Sequence, residues 1–143
     1  ALSMPSSRNR ISGHAFYACS IDGFLHWGYN FYNSALSIRR IDPYFVTDAD
    51  KKFCSGDSYL VYPAENLTSY ISIRLAVFRD GLQDMRAMKL CEKLCGKNAV
   101  IDVIKEFNSG NNLDIMTVPA DPDFTLKVRE KINSMIKKAI SNQ

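Results

Sequence analysis

Long apolar runs are missing from this sequence of 143 residues. No run approaches the ~20 apolar residues that a membrane-spanning helix needs. Residues 1–4 lack the charged and apolar segments of a secretory signal peptide. We therefore predict no membrane partner. Position 1 is Ala rather than Met, so we expect the chain to have been processed or cut from a longer protein.

Strong charge of one sign is also missing. The net charge is +3, and no run of Lys and Arg alternates with aromatic residues, so we predict no nucleic-acid partner. The basic residues near the C terminus are spaced like the exposed face of a helix. A hydrophobic content of 46% and a charged content of 23% are ordinary for a folded domain with a core.

Cysteine is scarce, with four residues in the chain: Cys19, Cys54, Cys91 and Cys95. Four are too few for a disulfide scaffold. Their spacing also lacks the paired pattern of a zinc site, and neither histidine lies near Cys91 and Cys95 in sequence. We therefore predict that the chain binds no metal. We expect the cysteines to be small, buried, reduced thiols. That cysteine usage slightly favours the cytoplasm, while export of a longer parent protein stays open.

Signatures of nucleophilic catalysis and of phosphate binding are absent as well. The sequence contains no Gly-x-Ser-x-Gly motif, no phosphate-binding loop and no dinucleotide-binding pattern. Paired carboxylates could serve acid–base chemistry. However, Asp80 and Asp84 lie four residues apart on a predicted helix that also carries Arg74, Arg79 and Arg86, which favours a solvated salt-bridge network. We predict no cofactor and no catalytic residue in this chain.

Helical periodicity and capping residues predict four helices. Gly81 lies in the middle of the second, where glycine weakens a helix by up to ~1 kcal/mol relative to alanine, so we expect close packing there. Ser69 or Ser72 could cap that helix, and Asp121-Pro122 should begin the last one. The predicted helices cover about residues 7–19, 71–95, 98–110 and 122–139.

Two segments have the composition of strands, at residues 24–30 and 58–62. Residues 31–56, between them, form a long polar stretch without regular periodicity. Loops of that length are uncommon in compact domains unless they are functional. The first strand is expected to be buried on both faces, which would place it in an α/β sheet.

The most informative segment is Gly23-Phe-Leu-His-Trp-Gly-Tyr-Asn30, which contains the only Trp and one of two His. Its polar side chains gather toward the C-terminal end of the predicted strand, where α/β sheets and barrels bind ligands. Aromatic faces together with His, Asn and Asp side chains would suit a carbohydrate surface. The alternative is a core tryptophan beside a hydrogen-bonded histidine.

Three sequence blocks resemble the C-terminal part of a bacterial family, the domain of unknown function numbered 4091, linked to glycoside hydrolase family 123. The resemblance covers residues 6–95 and rests on the order and spacing of the blocks. They are Gly23-Phe-Leu-His-Trp-Gly-Tyr-Asn30, Ser55-Gly-Asp-Ser-Tyr-Leu-Val-Tyr-Pro63, and Ser72-Ile-Arg-Leu75 followed by Phe78-Arg-Asp-Gly-Leu-Gln-Asp84.

The resemblance implies an α/β fold, namely the C-terminal portion of a (β/α)8-type barrel with two to three strands and four helices in this chain. Residues 6–95 would form a barrel-like helix–strand–loop–strand–helix part and residues 96–143 the C-terminal helices. Residues 1–143 would then be a single domain or a fragment. In the third block, Arg74, Arg79 and Asp84 are expected to hold structure.

The resemblance also implies an activity, the removal of β-linked N-acetylgalactosamine with help from the substrate's acetamido group. The family's catalytic residues are an adjacent Asp-Glu pair on an earlier barrel strand, and no adjacent Asp-Glu occurs in this sequence. What carries over is the rim of an N-acetylhexosamine-type sugar pocket. Its predicted substrate-binding residues are His26, Trp27, Tyr29, Asn30, Asp57 and Tyr59.

These expectations lead to three interpretations. The chain is part of a glycoside-hydrolase-like protein that binds a carbohydrate ligand and self-associates or docks with the missing N-terminal part of the barrel. Alternatively, it is a non-catalytic carbohydrate-binding or structural α/β domain. The third interpretation is a small α+β domain whose aromatic strand is only core.

Overall fold

The computed structural model describes residue 2 and residues 4–142, which form two compact units. The first unit comprises the described residues up to Ser6 together with Phe24–Ala76. The second comprises Ser7–Gly23 and the described residues from Val77 onwards. Whether residues 1–143 are one domain or a fragment stays a prediction.

Four α-helices occur in the described chain, as predicted: α1 (Ser7–Ala18), α2 (Ile73–Cys95), α3 (Lys97–Phe107) and α4 (Phe124–Ser141). The cap of α2 is Ser72, whose Oγ accepts the N–H of Leu75 at 3.2 Å. Within the described residues, no helix is both long and apolar enough to cross a membrane.

The start of α4 differs from the prediction. The Oδ1 of Asp121 accepts the N–H of Asp123 at 2.9 Å, and its carbonyl accepts the N–H of Phe124 at 3.2 Å. Asp121 and Pro122 therefore form a turn before the helix, instead of its cap and its first residue. A side chain that bonds its own backbone two residues later favours a turn over a helix start.

The predicted strand at residues 24–30 is wrong. These residues have no regular secondary structure apart from one isolated antiparallel bridge, between Asn30 and Tyr59. Phe24, Leu25, Trp27 and Tyr29 are all at least half exposed, so the segment is not covered on both faces. Its apolar composition suggested burial, whereas burial depends on the neighbouring segments that the fold supplies.

The sheet of the first unit is a small antiparallel pair. Strand β1 (Val61–Pro63) overlaps the predicted strand at residues 58–62, and β2 (Ser69–Ile71) was not predicted. Val61 pairs with Ile71 and Pro63 with Ser69. Residues 31–56 are irregular as predicted, with one short 3-10 turn at Ala35–Ser37. The described fold is therefore α/β, with four helices and a two-stranded antiparallel sheet.

The core of the second unit is helical. Parts of all four helices and Leu113 contribute to it, and α1 crosses α2 at two glycines. A Cβ added to Gly13 would lie 1.8 Å from the carbonyl oxygen of Gly81, so the close packing expected at Gly81 is confirmed. The buried apolar side chains are Ala15, Tyr17, Met88, Cys91, Val100, Val103, Ile104, Leu113, Phe124, Val128 and Ile132.

Two predictions about polar and thiol side chains need correction. Asp84 is not solvated, because it is buried and bonds Arg10 and Arg129 from other helices. None of the four cysteines forms a disulfide, but only Cys91 is buried, while Cys19, Cys54 and Cys95 are exposed. Helical spacing places Cys95 one turn after Cys91, at the end of α2, where little of the chain covers it.

Candidate functional site

Close backbone approach holds the segment at residues 24–30 against the chain around residue 58. The N–H of Leu60 donates to the carbonyl of Tyr29 at 2.7 Å, and the N–H of Phe31 donates to Ser58 at 3.0 Å. A Cβ on Gly28 would lie 2.7 Å from the Ser58 carbonyl oxygen, so only glycine allows this approach. The two sequence blocks of the first unit therefore meet along their backbones.

Trp27 and Asp57 are joined by a hydrogen bond. The indole Nε1–H donates to Oδ2 of Asp57 at 3.1 Å. The residue Trp27 is half exposed, and the Asp57 side chain is 38% exposed. The bond fixes the orientation of the indole while one part of the ring and one part of the carboxylate stay accessible to a ligand.

His26 completes this polar group. Its Nε2 lies 3.7 Å from Oδ1 of Asp57, too long for a direct hydrogen bond but close enough for attraction when the ring is protonated. Its Nδ1 lies 2.8 Å from the carbonyl oxygen and 3.2 Å from the nitrogen of Gly28. The ring can therefore donate to the carbonyl or accept from the N–H, depending on its tautomer.

Two further aromatic rings support Trp27. Its ring centroid lies 4.8 Å from that of Phe53 and 5.6 Å from that of Phe31, in tilted and edge geometries that aromatic pairs favour. Phe53 comes from the long irregular loop. We call the group His26, Trp27, Phe31, Phe53 and Asp57 the Trp27 surface.

The other three predicted site residues make other contacts. Tyr29 is half exposed and pairs through its backbone with Leu60 and Val61. Asn30 is exposed and lines a cavity formed mainly by the long loop. Tyr59 is fully buried, and its hydroxyl donates to the carbonyl of Pro43 at 2.9 Å. The structure thus brings together His26, Trp27 and Asp57 of the six.

Tyr59 anchors the interior of the first unit. Its carbonyl accepts a 2.8 Å hydrogen bond from the buried Arg74, whose guanidinium carbon lies 5.6 Å from the centroid of the Tyr59 ring. Burial raises the pKa of Tyr59 to about 12. This places Arg74 in a structural position, as the resemblance led us to expect.

The cavity at Asn30 was not predicted residue by residue. It has a volume of about 520 Å³. The length of the irregular loop at residues 31–56 was the available signal, since such loops are often functional. The lining residues are Asn30, Tyr32, Asn33, Arg40, Ile41, Asp42, Pro43, Tyr44 and Pro63.

Metal-ligating groups do not converge at either place. Within residue 2 and residues 4–142, no three His, Cys, Asp or Glu side chains are grouped so that they could hold a metal ion. The Trp27 surface combines aromatic faces with one carboxylate and one imidazole. This combination suits a ligand with both apolar C–H faces and hydroxyl groups.

Comparison with protein families identifies the family of this chain. The family described as glycoside hydrolase 123, catalytic domain, matches residues 2–91, which is more than half of the chain. The chain therefore belongs to this family of glycoside-hydrolase-like proteins. No curated protein sequence matches it.

Proposed function

We propose that this chain forms the C-terminal part of a glycoside-hydrolase-like barrel protein and contributes to its sugar pocket. In this proposal the Trp27 surface contacts a sugar of the N-acetylhexosamine type. The observation that carries the proposal is the 3.1 Å hydrogen bond from Trp27 to Asp57 beneath a half-exposed indole. The match to the glycoside hydrolase 123 catalytic domain supports the class of ligand.

The chemistry of the Trp27 surface supports a sugar over a purely apolar ligand. The indole face offers an apolar area on which the C–H groups of a pyranose can stack. The exposed part of the Asp57 carboxylate can accept hydrogen bonds from hydroxyl groups, and His26 can donate or accept. Ligand sites commonly combine aromatic walls with a few oriented polar groups in this way.

Catalysis is proposed to reside elsewhere in the parent protein. The resemblance implies an adjacent Asp-Glu pair, and this sequence has none. We therefore expect the isolated chain to show no turnover of an aryl N-acetylgalactosaminide. Turnover that persists in the purified chain and is lost on substitution of Asp57 would overturn this part of the proposal.

A docking role is supported by the exposed apolar residues of the first unit. Leu25, Leu36 and Phe45 are each at least 86% exposed. Single exposed apolar residues are normal on a protein surface, whereas a contiguous apolar patch is typical of a surface that another chain covers, and we propose that these residues belong to such a patch. We propose that the missing N-terminal part of the barrel covers them, and that copies of the isolated chain associate through them instead.

Titration with N-acetylgalactosamine tests the sugar pocket. Trp27 is the only tryptophan, so its fluorescence reports on its own surroundings, and calorimetry gives the affinity independently. We expect saturable binding that Asp57→Asn weakens about tenfold, as the loss of a charged hydrogen-bond acceptor predicts.

Asp50→Asn is the matched control. Its side chain is 36% exposed against 38% for Asp57, but it pairs with Arg39 and not with a residue of the Trp27 surface. We expect Asp50→Asn to bind the sugar as the unsubstituted chain does. Equal weakening by both substitutions, or no saturable binding by the unsubstituted chain, would remove the Trp27 surface from the sugar pocket.

A further inference from the structure

We infer that the cavity of about 520 Å³ at Asn30 is a second ligand site, for a sugar that carries a carboxylate. The cavity and the Trp27 surface share no residue, so the inference does not depend on the proposed function. Its volume lies within the range of about 300–1,000 Å³ typical of small-molecule sites. Its polar lining is Asn30, Asn33, Arg40 and Asp42.

The adjacent Arg39 and Arg40 differ in their pairing with described residues, and the unpaired one lines this cavity. The guanidinium of Arg39 forms a 2.6 Å ion pair with Oδ1 of Asp50. The guanidinium of Arg40, which lines the cavity, has no ion pair or hydrogen bond with any part of the chain that the structure describes. A guanidinium presents its N–H groups in a planar fork that matches a carboxylate. Arg40 is therefore the group that would bind the acid.

The backbone on both sides of the cavity is held in place. Asn33 and Arg40 form an isolated antiparallel bridge, and the N–H of Ser34 donates to the carbonyl of Arg39 at 2.9 Å. The Oγ of Ser34 accepts the N–H of Arg39 at 3.1 Å. These hydrogen bonds hold the two ends of the loop that leads to Arg40. The loop therefore loses less conformational entropy when a ligand binds.

The remaining polar side chains suit hydroxyl groups. The carboxamides of Asn30 and Asn33 make no hydrogen bond to other described residues, so each can donate and accept. Asp42 uses Oδ1 to accept the N–H of Tyr44 at 2.9 Å, which leaves Oδ2 as an acceptor. Donors and acceptors beside one guanidinium fit a polyhydroxylated acid, whose hydroxyl groups can donate to Asp42, better than a small inorganic anion, which has no hydroxyl groups to satisfy these side chains.

Tyr44 supplies a fixed aromatic wall. Its hydroxyl donates to the carbonyl of Pro63 at 2.8 Å, and its ring centroid lies 5.1 Å from that of Tyr62. About half of its surface stays exposed. A held ring beside hydroxyl-binding groups allows a sugar ring to lie against it, whereas an acyclic acid would gain less from that wall.

The experiment compares D-glucuronate with D-glucose, which differ at one carbon, by calorimetric titration of the full chain. We expect saturable binding of glucuronate and at least tenfold weaker binding of glucose. Arg40→Gln should weaken glucuronate about tenfold, which is the loss expected for a charge-assisted hydrogen bond, and should abolish the preference for the acid. Arg40→Lys keeps the positive charge but loses the planar fork of N–H groups. Its affinity for glucuronate should lie between those of the unsubstituted chain and Arg40→Gln.

Arg39→Gln is the matched control, because it removes a neighbouring arginine that is already paired. It should leave the affinity for glucuronate within twofold of that of the unsubstituted chain. Equal affinity for the two sugars would overturn the inference. So would equal losses in the two arginine variants, or no saturable binding of glucuronate. Circular dichroism of each variant confirms that the helices are retained.

Discussion

The Nε of Arg10 donates a 2.7 Å hydrogen bond to Oδ2 of Asp84, and this bond joins α1 to α2 within the second unit. Arg129 of α4 approaches the other oxygen, with its Nη1 2.8 Å from Oδ1. The carboxylate is 1% exposed, whereas the two arginines are 23% and 32% exposed. One buried charge thus connects three helices and is compensated by two cations that reach solvent.

We expect Asp84→Asn to destabilise the second unit strongly. Breaking a buried ion pair costs about 3–5 kcal/mol, and solvent screening of the two arginines places the loss near the lower end, at about 3 kcal/mol. Urea unfolding measures it as a lower midpoint. Asp80→Asn is the control, because Asp80 is exposed and lies 3.9 Å from Arg79, and it should change stability by less than about 1 kcal/mol. Similar losses in both variants would contradict the structural role of Asp84.

The crossing of α1 and α2 predicts that Gly13→Ala is destabilising. Alanine is favoured over glycine in a helix by about 1 kcal/mol. However, the added Cβ would overlap the backbone of Gly81, at 1.8 Å from its carbonyl oxygen. Overpacking against backbone costs about 1–3 kcal/mol or more, so the net effect should be a loss of stability.

Gly23→Ala is the matched substitution for that test. An added Cβ at Gly23 meets nothing within 4 Å, so the unfolding midpoint should stay nearly unchanged. Thermal unfolding of both variants provides the comparison. A Gly13→Ala chain as stable as the original would mean that the two helices do not approach as closely as described.

Because the His14 ring is buried, we expect the chain to lose stability in weak acid. It is fully buried and tilted against Phe124, and neither ring nitrogen has a hydrogen-bond partner among the described residues. Burial lowers the pKa of His14 from 6.5 to about 4, although the nearby Asp84 carboxylate opposes that shift. The ring is therefore neutral when folded, and the unfolded chain binds more protons between pH 6.5 and 4.

The contribution of His14 to unfolding free energy follows from that difference. Stability should be unaffected above pH 6.5 and should fall progressively as the pH drops toward 4, by roughly 3 kcal/mol in total. Unfolding in urea at several pH values measures the slope. His14→Leu should flatten it, whereas His26→Gln, which removes the only other histidine, should leave it in place. An unchanged slope in His14→Leu would assign the acid sensitivity to other groups.

Exposed apolar side chains predict self-association of the isolated chain. Leu25 and Phe45, both in the first unit, are 90% and 86% exposed. We expect sedimentation velocity to show species larger than 16.2 kDa that increase with concentration. Replacing both residues with serine should shift the distribution toward the monomer. A monomer at every concentration in the unsubstituted chain would count against docking through this surface.

The Trp27 segment shows where sequence reasoning fails. Phe24, Leu25 and Trp27 suggested a strand buried on both faces, but the structure leaves all three at least half exposed. Composition alone does not decide whether an apolar residue is buried, because burial depends on segments that are distant in sequence. The pairing of Trp27 with Asp57, 30 residues later, depends on the close approach at Gly28, which no local pattern signals.

The sequence by itself determined the four helices and limited the cap of α2 to Ser69 or Ser72, because these features depend on side chains within one or two helical turns. Only the tertiary structure decided that Asp84 is buried between Arg10 and Arg129, and that Arg39 is paired while Arg40 faces a cavity. Local propensity acts between residues a few positions apart. Burial and ion pairing depend on segments that are distant in sequence, and therefore on the packing of the whole chain.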